Sequence, residues 1–142
     1  MVAIKELLEP SAEQEARFIR EARITARLEH PAIVPVHDAG RWADKRPFYS
    51  MKLVSGRSLL ERIGGCGTLA ERLGLLHHVT AVAEAIAYAH SLKIINRDVK
   101  PANVIVGDFG ETVVIDWGLA KELGVEEQRP EPGGQGAAAP QG

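Results

Sequence analysis

Two hydrophobic rhythms alternate along this chain, and the switches between them mark its elements. Met1-Val2-Ala3-Ile4-Lys5 is a short apolar run ending in a lysine and reads as a strand. From Ser11 the period lengthens. Ala12, Phe18, Ala22 and Ala26, with Ile19 and Leu28 beside them, recur at helical spacing until Pro31, and Ser11 and Gln14 have the spacing of a capping box. The pattern predicts a helix over about 12–29. Ile33-Val34-Pro35-Val36 and the run Pro47 to Val54 predict an antiparallel hairpin around the polar turn Ala43-Asp44-Lys45-Arg46. Ser58 to Ile63 reads as a short helix, broken by Gly64-Gly65-Cys66-Gly67 before one long helix from about Leu69 to Ser91. In that helix Leu76, Val79, Ala83, Ile86 and His90 share a face. Ile94-Ile95, Val104-Ile105-Val106 and Val113-Val114-Ile115 predict three short strands, the last two joined by the turn Gly107-Asp108-Phe109-Gly110. From Glu122 onward Gly, Pro, Glu, Gln and Ala dominate, so segment 122–142 is expected to be disordered.

Composition adds bounds rather than direction. The 142 residues are 45% hydrophobic and 25% charged, the profile of one ordinary soluble domain. Seventeen Lys and Arg against nineteen Asp and Glu leave a formal charge of −2, which gives no basic surplus to suggest a nucleic-acid or membrane partner. Cys66 is the single cysteine, so no internal disulfide or cysteine-based zinc site forms, and a free thiol in a reducing compartment is expected. The N-terminus lacks the build of a signal peptide, and no apolar run approaches the ~20 residues that span a bilayer. The expectation is a cytoplasmic protein.

Chemistry is concentrated in Asn96-Arg97-Asp98-Val99-Lys100-Pro101-Ala102-Asn103, the strand after it, a turn, and Val113 to Gly118. Phosphoryl transfer needs a carboxylate to orient and deprotonate the attacking hydroxyl, a cation on the γ-phosphate, and oxygen ligands for Mg²⁺. Asp98, Lys100, Asn103 and Asp116 supply these groups, and a hairpin between Asn103 and Asp116 brings the last two side by side. Two other patterns carry no site. Gly65-Cys66-Gly67-Thr68-Leu69-Ala70 imitates a dinucleotide fingerprint but opens no βαβ unit. His77 and His78 are adjacent on a helix and do not share the i, i+4 spacing of a metal pair.

These residues resemble the protein kinase family, whose signatures are H-R-D-x-x-x-x-N and D-F-G. Val2-Ala3-Ile4-Lys5 matches the family's V-A-I-K strand, and Glu21 lies in the next helix where an ion-pair glutamate belongs. The wording around Pro101–Val106 and Asp116–Lys121 resembles bacterial members. The resemblance implies an α+β kinase-like fold: a small-lobe remnant over 1–53, then over 54–121 the hinge and the first part of a helical large lobe. It implies ATP and Mg²⁺ as cofactors and a protein substrate with a Ser or Thr acceptor, Lys100 marking the serine/threonine branch. By the same resemblance Lys5 holds the α- and β-phosphates and pairs with Glu21, Asp98 is the base, and Asn103 and Asp116 are metal ligands. Met51 is the gatekeeper, the backbones of Lys52 and Val54 meet the adenine edge, and Ala3 and Ile105 sandwich the ring.

Three positions depart from the family: Asn96 for histidine, Trp117 for phenylalanine, and the polar Thr25 four residues after Glu21. All three belong to the packed column between the lobes, which they are expected to weaken. No glycine-rich loop precedes Val2, no A-P-E motif follows Lys121, and Leu119 to Gly142 contains no Ser, Thr or Tyr. A chain so built is expected to be marginally stable, to associate through uncovered apolar positions such as Leu76, Val79 and Ile86, and to turn over little ATP. Rival readings are a pseudokinase or regulatory fragment acting by binding a partner, and a small-molecule phosphotransferase sharing the Asp-Asn-Asp logic.

Overall fold

Capping, alternation and glycine placement account for most of the elements in the computed structural model, which describes residues 1–124. Strand β1 (Val2–Glu6) turns Val2 and Ile4 outward and Ala3 and Lys5 inward, as the period of two requires. Helix α1 (Ala12–Ala26) opens with the expected capping box: the Ser11 hydroxyl accepts from the Gln14 backbone N–H, and the Gln14 side chain accepts from the Ser11 N–H. Its inner face is Phe18, Glu21, Ala22, Ile24 and Thr25.

Strand β2 (Val36–Arg41) and strand β3 (Pro47–Lys52) form the hairpin, and β3 lies at the centre of a sheet ordered β1-β3-β2. The expected first strand, Ile33–Val36, is thereby corrected. Only Val36 joins the ladder; Pro35 has no N–H to give it. Ala32, Ile33 and Val34 are buried against the second sheet instead, where the Val34 N–H donates to the Val114 carbonyl at 3.1 Å and the Val114 N–H to Ala32 at 2.8 Å. The rest of β2 is polar and exposed, so hydrophobicity does not announce it.

Strand β4 (Arg57–Ser58) and helix α2 (Leu59–Gly64) follow, with Ser58 and Glu61 forming a second capping box. The single helix expected over 69–91 is two: α3 (Leu69–Leu73) and α4 (Leu76–Ser91). Gly74, a poor helix former, ends α3, and the Leu75 N–H bonds back three residues to Arg72 at 3.0 Å. The buried face of α4 also differs from the expected one. His78, Val82, Ala85 and Ala89 face the core, while Leu76, Val79, Ala83 and His90 are exposed and Ile86 is half-buried. Ala85 and Ala89 are fully buried because small side chains let the helix lie close to its neighbours, and small residues advertise a core face weakly.

Strand β5 (Ile94–Ile95), a 3₁₀ turn (Pro101–Asn103), strand β6 (Val104–Val106) and strand β7 (Thr112–Val114) carry the chain through the chemistry-bearing segment. The second sheet runs β4-β6-β7, with Val104 opposite Val114 and Ile105 opposite Val113. Strand β8 (Lys121–Glu122) pairs with β5, and the Leu123 N–H donates to the Lys93 carbonyl at 2.8 Å. Order therefore continues past Glu122, where disorder was expected to begin; residues 125–142 lie outside the described part of the chain. One core unites the halves: Ile24 of α1 and Leu28 just after it pack with Val82, Ala85 and Ala89 of α4, the β6–β7 hairpin and Trp117.

Candidate active site

Burial decides the character of the first wall. Alternation along β1 places Lys5 opposite Tyr49 of β3, and helical spacing places Glu21 on the face of α1 that also buries Phe18, Ile24 and Thr25. Lys5 Nζ donates to Glu21 Oε1 at 2.7 Å, and the Tyr49 hydroxyl donates to the same oxygen at 2.8 Å. Glu21 is buried and Lys5 half-exposed, so the pair has one end in the protein and one toward the cleft. Burial first, then the Glu21 charge and its hydrogen bond, push the Tyr49 phenol far above its ordinary value, keeping it a donor. Thr25 is satisfied by its own helix, its hydroxyl donating to the Glu21 carbonyl at 2.8 Å.

Opposite stands the loop after β5. The Asp98 backbone N–H donates to Asn96 Oδ1 at 2.9 Å, and Asn103 Nδ2 donates to both the Asp98 carbonyl (3.1 Å) and Asp98 Oδ2 (3.0 Å). Lys100 Nζ lies 3.2 Å from the other carboxylate oxygen. Arg97 holds a left-handed backbone, φ 66°, and its Nε donates to the Leu119 carbonyl at 2.6 Å, tying the loop to the segment beyond Asp116.

Asp116 is held from three directions. Its carbonyl accepts from Asn96 Nδ2 at 2.9 Å, its Oδ1 accepts from the Gly118 N–H at 2.9 Å, and the preceding Ile115 N–H donates to the Asn103 carbonyl at 3.1 Å. Asn96, fully buried, thus bridges the loop bearing Asp98 and the segment bearing Asp116 with one side chain. Space at Gly118 is tight: a Cβ there would stand 3.1 Å from Asp116 Oδ1 and 3.3 Å from Glu21 Oε2, so a side chain would press on both carboxylates. Trp117 is 1% exposed and sits in the core that joins α1 to α4 and the β6–β7 hairpin, although its indole N–H has no partner among the described residues. The literal Asp108-Phe109-Gly110 is a different matter: it forms the β6–β7 hairpin tip, with Phe109 99% exposed.

Between the walls lies a cleft of about 340 Å³. Ala3, Met51, Lys52, Val54 and Ile105 all line it. Lys5 and Asp116 face the same space. Asp98, Lys100 and Asn103 cluster beside it rather than in its lining. Leu53 of the hinge segment lines it too, and sequence reasoning missed Tyr49, Val34 and Ile115; only the strand register sets Tyr49 opposite Lys5. A larger hollow of about 550 Å³ beside Glu29 and His30 contains none of the carboxylates that the chemistry needs.

The donor set suits a hard cation shared with phosphates. Among the described residues no three His, Cys, Asp or Glu side chains gather into a metal cage, and Mg²⁺ takes one or two protein oxygens and fills its shell with phosphate and water. Asn103 has its amide nitrogen turned to Asp98, which leaves its carbonyl oxygen directed elsewhere, and Asp116 keeps Oδ2 outside its own turn. The adjacent pair His77 and His78 is engaged structurally: His78 Nδ1 lies 2.7 Å from Thr112 Oγ1 and His77 Nδ1 lies 2.8 Å from the Gly74 carbonyl. Cys66 is a free thiol. No helix among the described residues is long and apolar enough to cross a membrane.

Comparison with known proteins agrees with this geometry. The protein kinase domain description matches residues 1–136. The serine/threonine-protein kinase PknD of Protochlamydia amoebophila is 35% identical over 92% of this chain, and that of Chlamydia pneumoniae is 37% identical over 89%. A probable serine/threonine-protein kinase of Streptomyces coelicolor is 40% identical over 78%. The chain spans 14%, 15% and 17% of the lengths of these three relatives. With a family match over nearly its whole length, and an α+β architecture that places the matching residues around one cleft, the chain belongs to the protein kinase family.

Proposed function

We propose that this chain provides the nucleotide cleft and catalytic loop of a serine/threonine protein kinase, using ATP and Mg²⁺. The observation that carries the reading is that Lys5, paired with Glu21, and Asp116 line one cleft, while the Asp98, Lys100 and Asn103 cluster is tied to the Asp116 segment through the Ile115 N–H bond to the Asn103 carbonyl.

In this reading Ala3 and Ile105 enclose the adenine, and the backbones of Lys52 and Val54 meet its edge beside Met51. Lys5, oriented by Glu21, binds the α- and β-phosphates. Mg²⁺, held by Asn103 and Asp116, would neutralise charge on the phosphate oxygens. Asp98 accepts the proton of the acceptor hydroxyl as the hydroxyl oxygen bonds to the γ-phosphorus and the bond to the ADP oxygen breaks. Lys100, 3.2 Å from Asp98, offsets charge on the γ-phosphoryl oxygens. The acceptor is a Ser or Thr of a protein, in keeping with the names of the relatives. A cytoplasmic location is proposed with it, since ATP is the donor.

The test is transfer of labelled γ-phosphate to a Ser/Thr peptide by wild type and Asp98→Asn. Loss of a general base should lower the rate by about 10²–10⁴ while Mg·ATP affinity holds within about twofold. A variant retaining more than about a tenth of the rate, ~1.4 kcal/mol in barrier, removes Asp98 from that role.

A second reading, a regulatory chain that acts by binding or self-association, is favoured by one observation. Leu69, Leu73, Leu76 and Val79 form an apolar stripe on α3–α4 that is 54–71% exposed.

A further inference from the structure

Resting on the nucleotide reading of the cleft, we propose that Tyr49 is a positioning residue. Its hydroxyl pins the Glu21 carboxylate, and through it helix α1 and the Lys5 ammonium, in the arrangement that receives the nucleotide phosphates.

An ion pair with one solvent-facing partner constrains geometry poorly, and Lys5 is 43% exposed. Tyr49 is 3% exposed and has no such freedom. It sits on the central strand, directly across the ladder from Lys5, and its hydroxyl reaches the same Glu21 oxygen that Lys5 uses. A phenol donating to a buried carboxylate is a charge-assisted hydrogen bond, stronger than a neutral one. The ring adds two constraints. Its centroid is 5.1 Å from that of Phe18, one turn before Glu21 on α1, and Lys5 Nζ stands 5.8 Å from it. Both bonds fall on Glu21 Oε1, so the lysine and the phenol hold the carboxylate through one shared oxygen. A tyrosine also does this without adding charge: a second cation would compete with Lys5 for Glu21, whereas a hydroxyl kept protonated by burial leaves the pair neutral overall. The helix is thereby held to β3 as well as to β1, and α1 carries Glu21 while its last turns pack on Trp117 beside Asp116.

Filling the space between α1 and β3 is the competing role, and two ligands separate it from pinning. Adenosine uses the ring slot but has no phosphates, whereas Mg·ATP uses Lys5 as well. In the full chain, Tyr49→Phe keeps the ring and removes only the hydroxyl. It should weaken Mg·ATP by about tenfold, the scale of one charge-assisted hydrogen bond, and leave adenosine within about twofold. In a Glu21→Ala background the same substitution should have no further effect on Mg·ATP, because the group through which it acts is gone. Unchanged Mg·ATP affinity, equal weakening of both ligands, or the same loss with and without Glu21 would each overturn the proposal. If wild type binds neither ligand, the nucleotide reading itself has failed. The pin is then judged from thermal unfolding of the two single variants and the double: non-additive midpoints support it and additive ones refute it.

Discussion

The cleft and the outer face of α3–α4 treat polar and apolar groups in opposite ways. In the cleft, buried polar side chains have partners supplied by distant parts of the chain: Glu21 by Lys5 and Tyr49, Asn96 by Asp98 and Asp116. Beneath them Trp117 is almost completely covered, although Leu53 in the cleft lining is 42% exposed. On α3–α4 the large residues Leu69, Leu73, Leu76 and Val79 stand in solvent, and the covered face is made of His78, Val82 and alanines. Unsatisfied buried polar groups are costly, so the partners of Glu21 and Asn96 hold these side chains in fixed positions, whereas the buried Trp117 indole N–H has no partner among the described residues. An exposed apolar stripe marks the reverse, a face with nothing described against it. The two regions meet where α4 packs on the β6–β7 hairpin, through the buried His78–Thr112 contact.

The largest effect should come from the residue that ties the cleft to the core. Trp117→Ala empties a fully buried site and should cost about 3–5 kcal/mol in denaturant unfolding, with loss of the fixed Asp116 geometry. A cost below about 1 kcal/mol would mean that α1 and the Asp116 segment are not joined through this core.

His78 should give an intermediate, pH-dependent effect. Burial first, and then the charges of His77 and Arg62, hold its folded pKa below the ordinary 6.5, so the unfolded chain binds more protons in that range. Its stabilising contribution is complete above about pH 6.5 and is lost as the pH falls through the lower folded value. Unfolding midpoints measured across this window should fall on acidification, and His78→Gln should flatten the slope. An unchanged slope would place the acid sensitivity elsewhere.

The smallest effect on stability should come from the exposed stripe. Leu76→Glu with Val79→Glu should change unfolding by no more than about 0.5 kcal/mol, because neither side chain is covered, while reducing self-association in sedimentation. Severe destabilisation, or unchanged association, would erase the contrast between the two regions.

How much of this was legible in the sequence follows the same division. Helix α1 was readable from Ser11, Gln14 and an apolar period containing Phe18 and Ala22. The loop from Asn96 to Asn103 and the segment after it were readable because phosphoryl transfer needs those groups in that order, and the hairpin between them leaves little freedom in where they meet. The face of α4 was misread because Leu76 and Val79 look more like core than Ala85 and Ala89 do, and bulk is a poor guide when close packing selects small residues. Ile33–Val36 was misread for a related reason: an apolar run signals burial, and here the burial goes with a single parallel bridge of Ile33 to Val114 in the second sheet rather than with a strand of the β2–β3 hairpin. Tyr49 was invisible as a site residue because an aromatic in a strand needs no explanation until Glu21 is seen 28 positions away in sequence and 2.8 Å away in space. The departures at Asn96 and Thr25 read as weaknesses, yet both polar groups are satisfied, Asn96 at both ends of its amide.

The central claim is that Asp116 and Lys5 meet one nucleotide in one cleft, with a metal ion between protein and phosphate. Titration of fluorescently labelled ATP against the full chain, with and without Mg²⁺, in wild type and Asp116→Ala, tests it most directly. The account expects Mg²⁺ to tighten binding to wild type and to make little difference to the variant, whereas equal binding with and without Mg²⁺ in both proteins would contradict it.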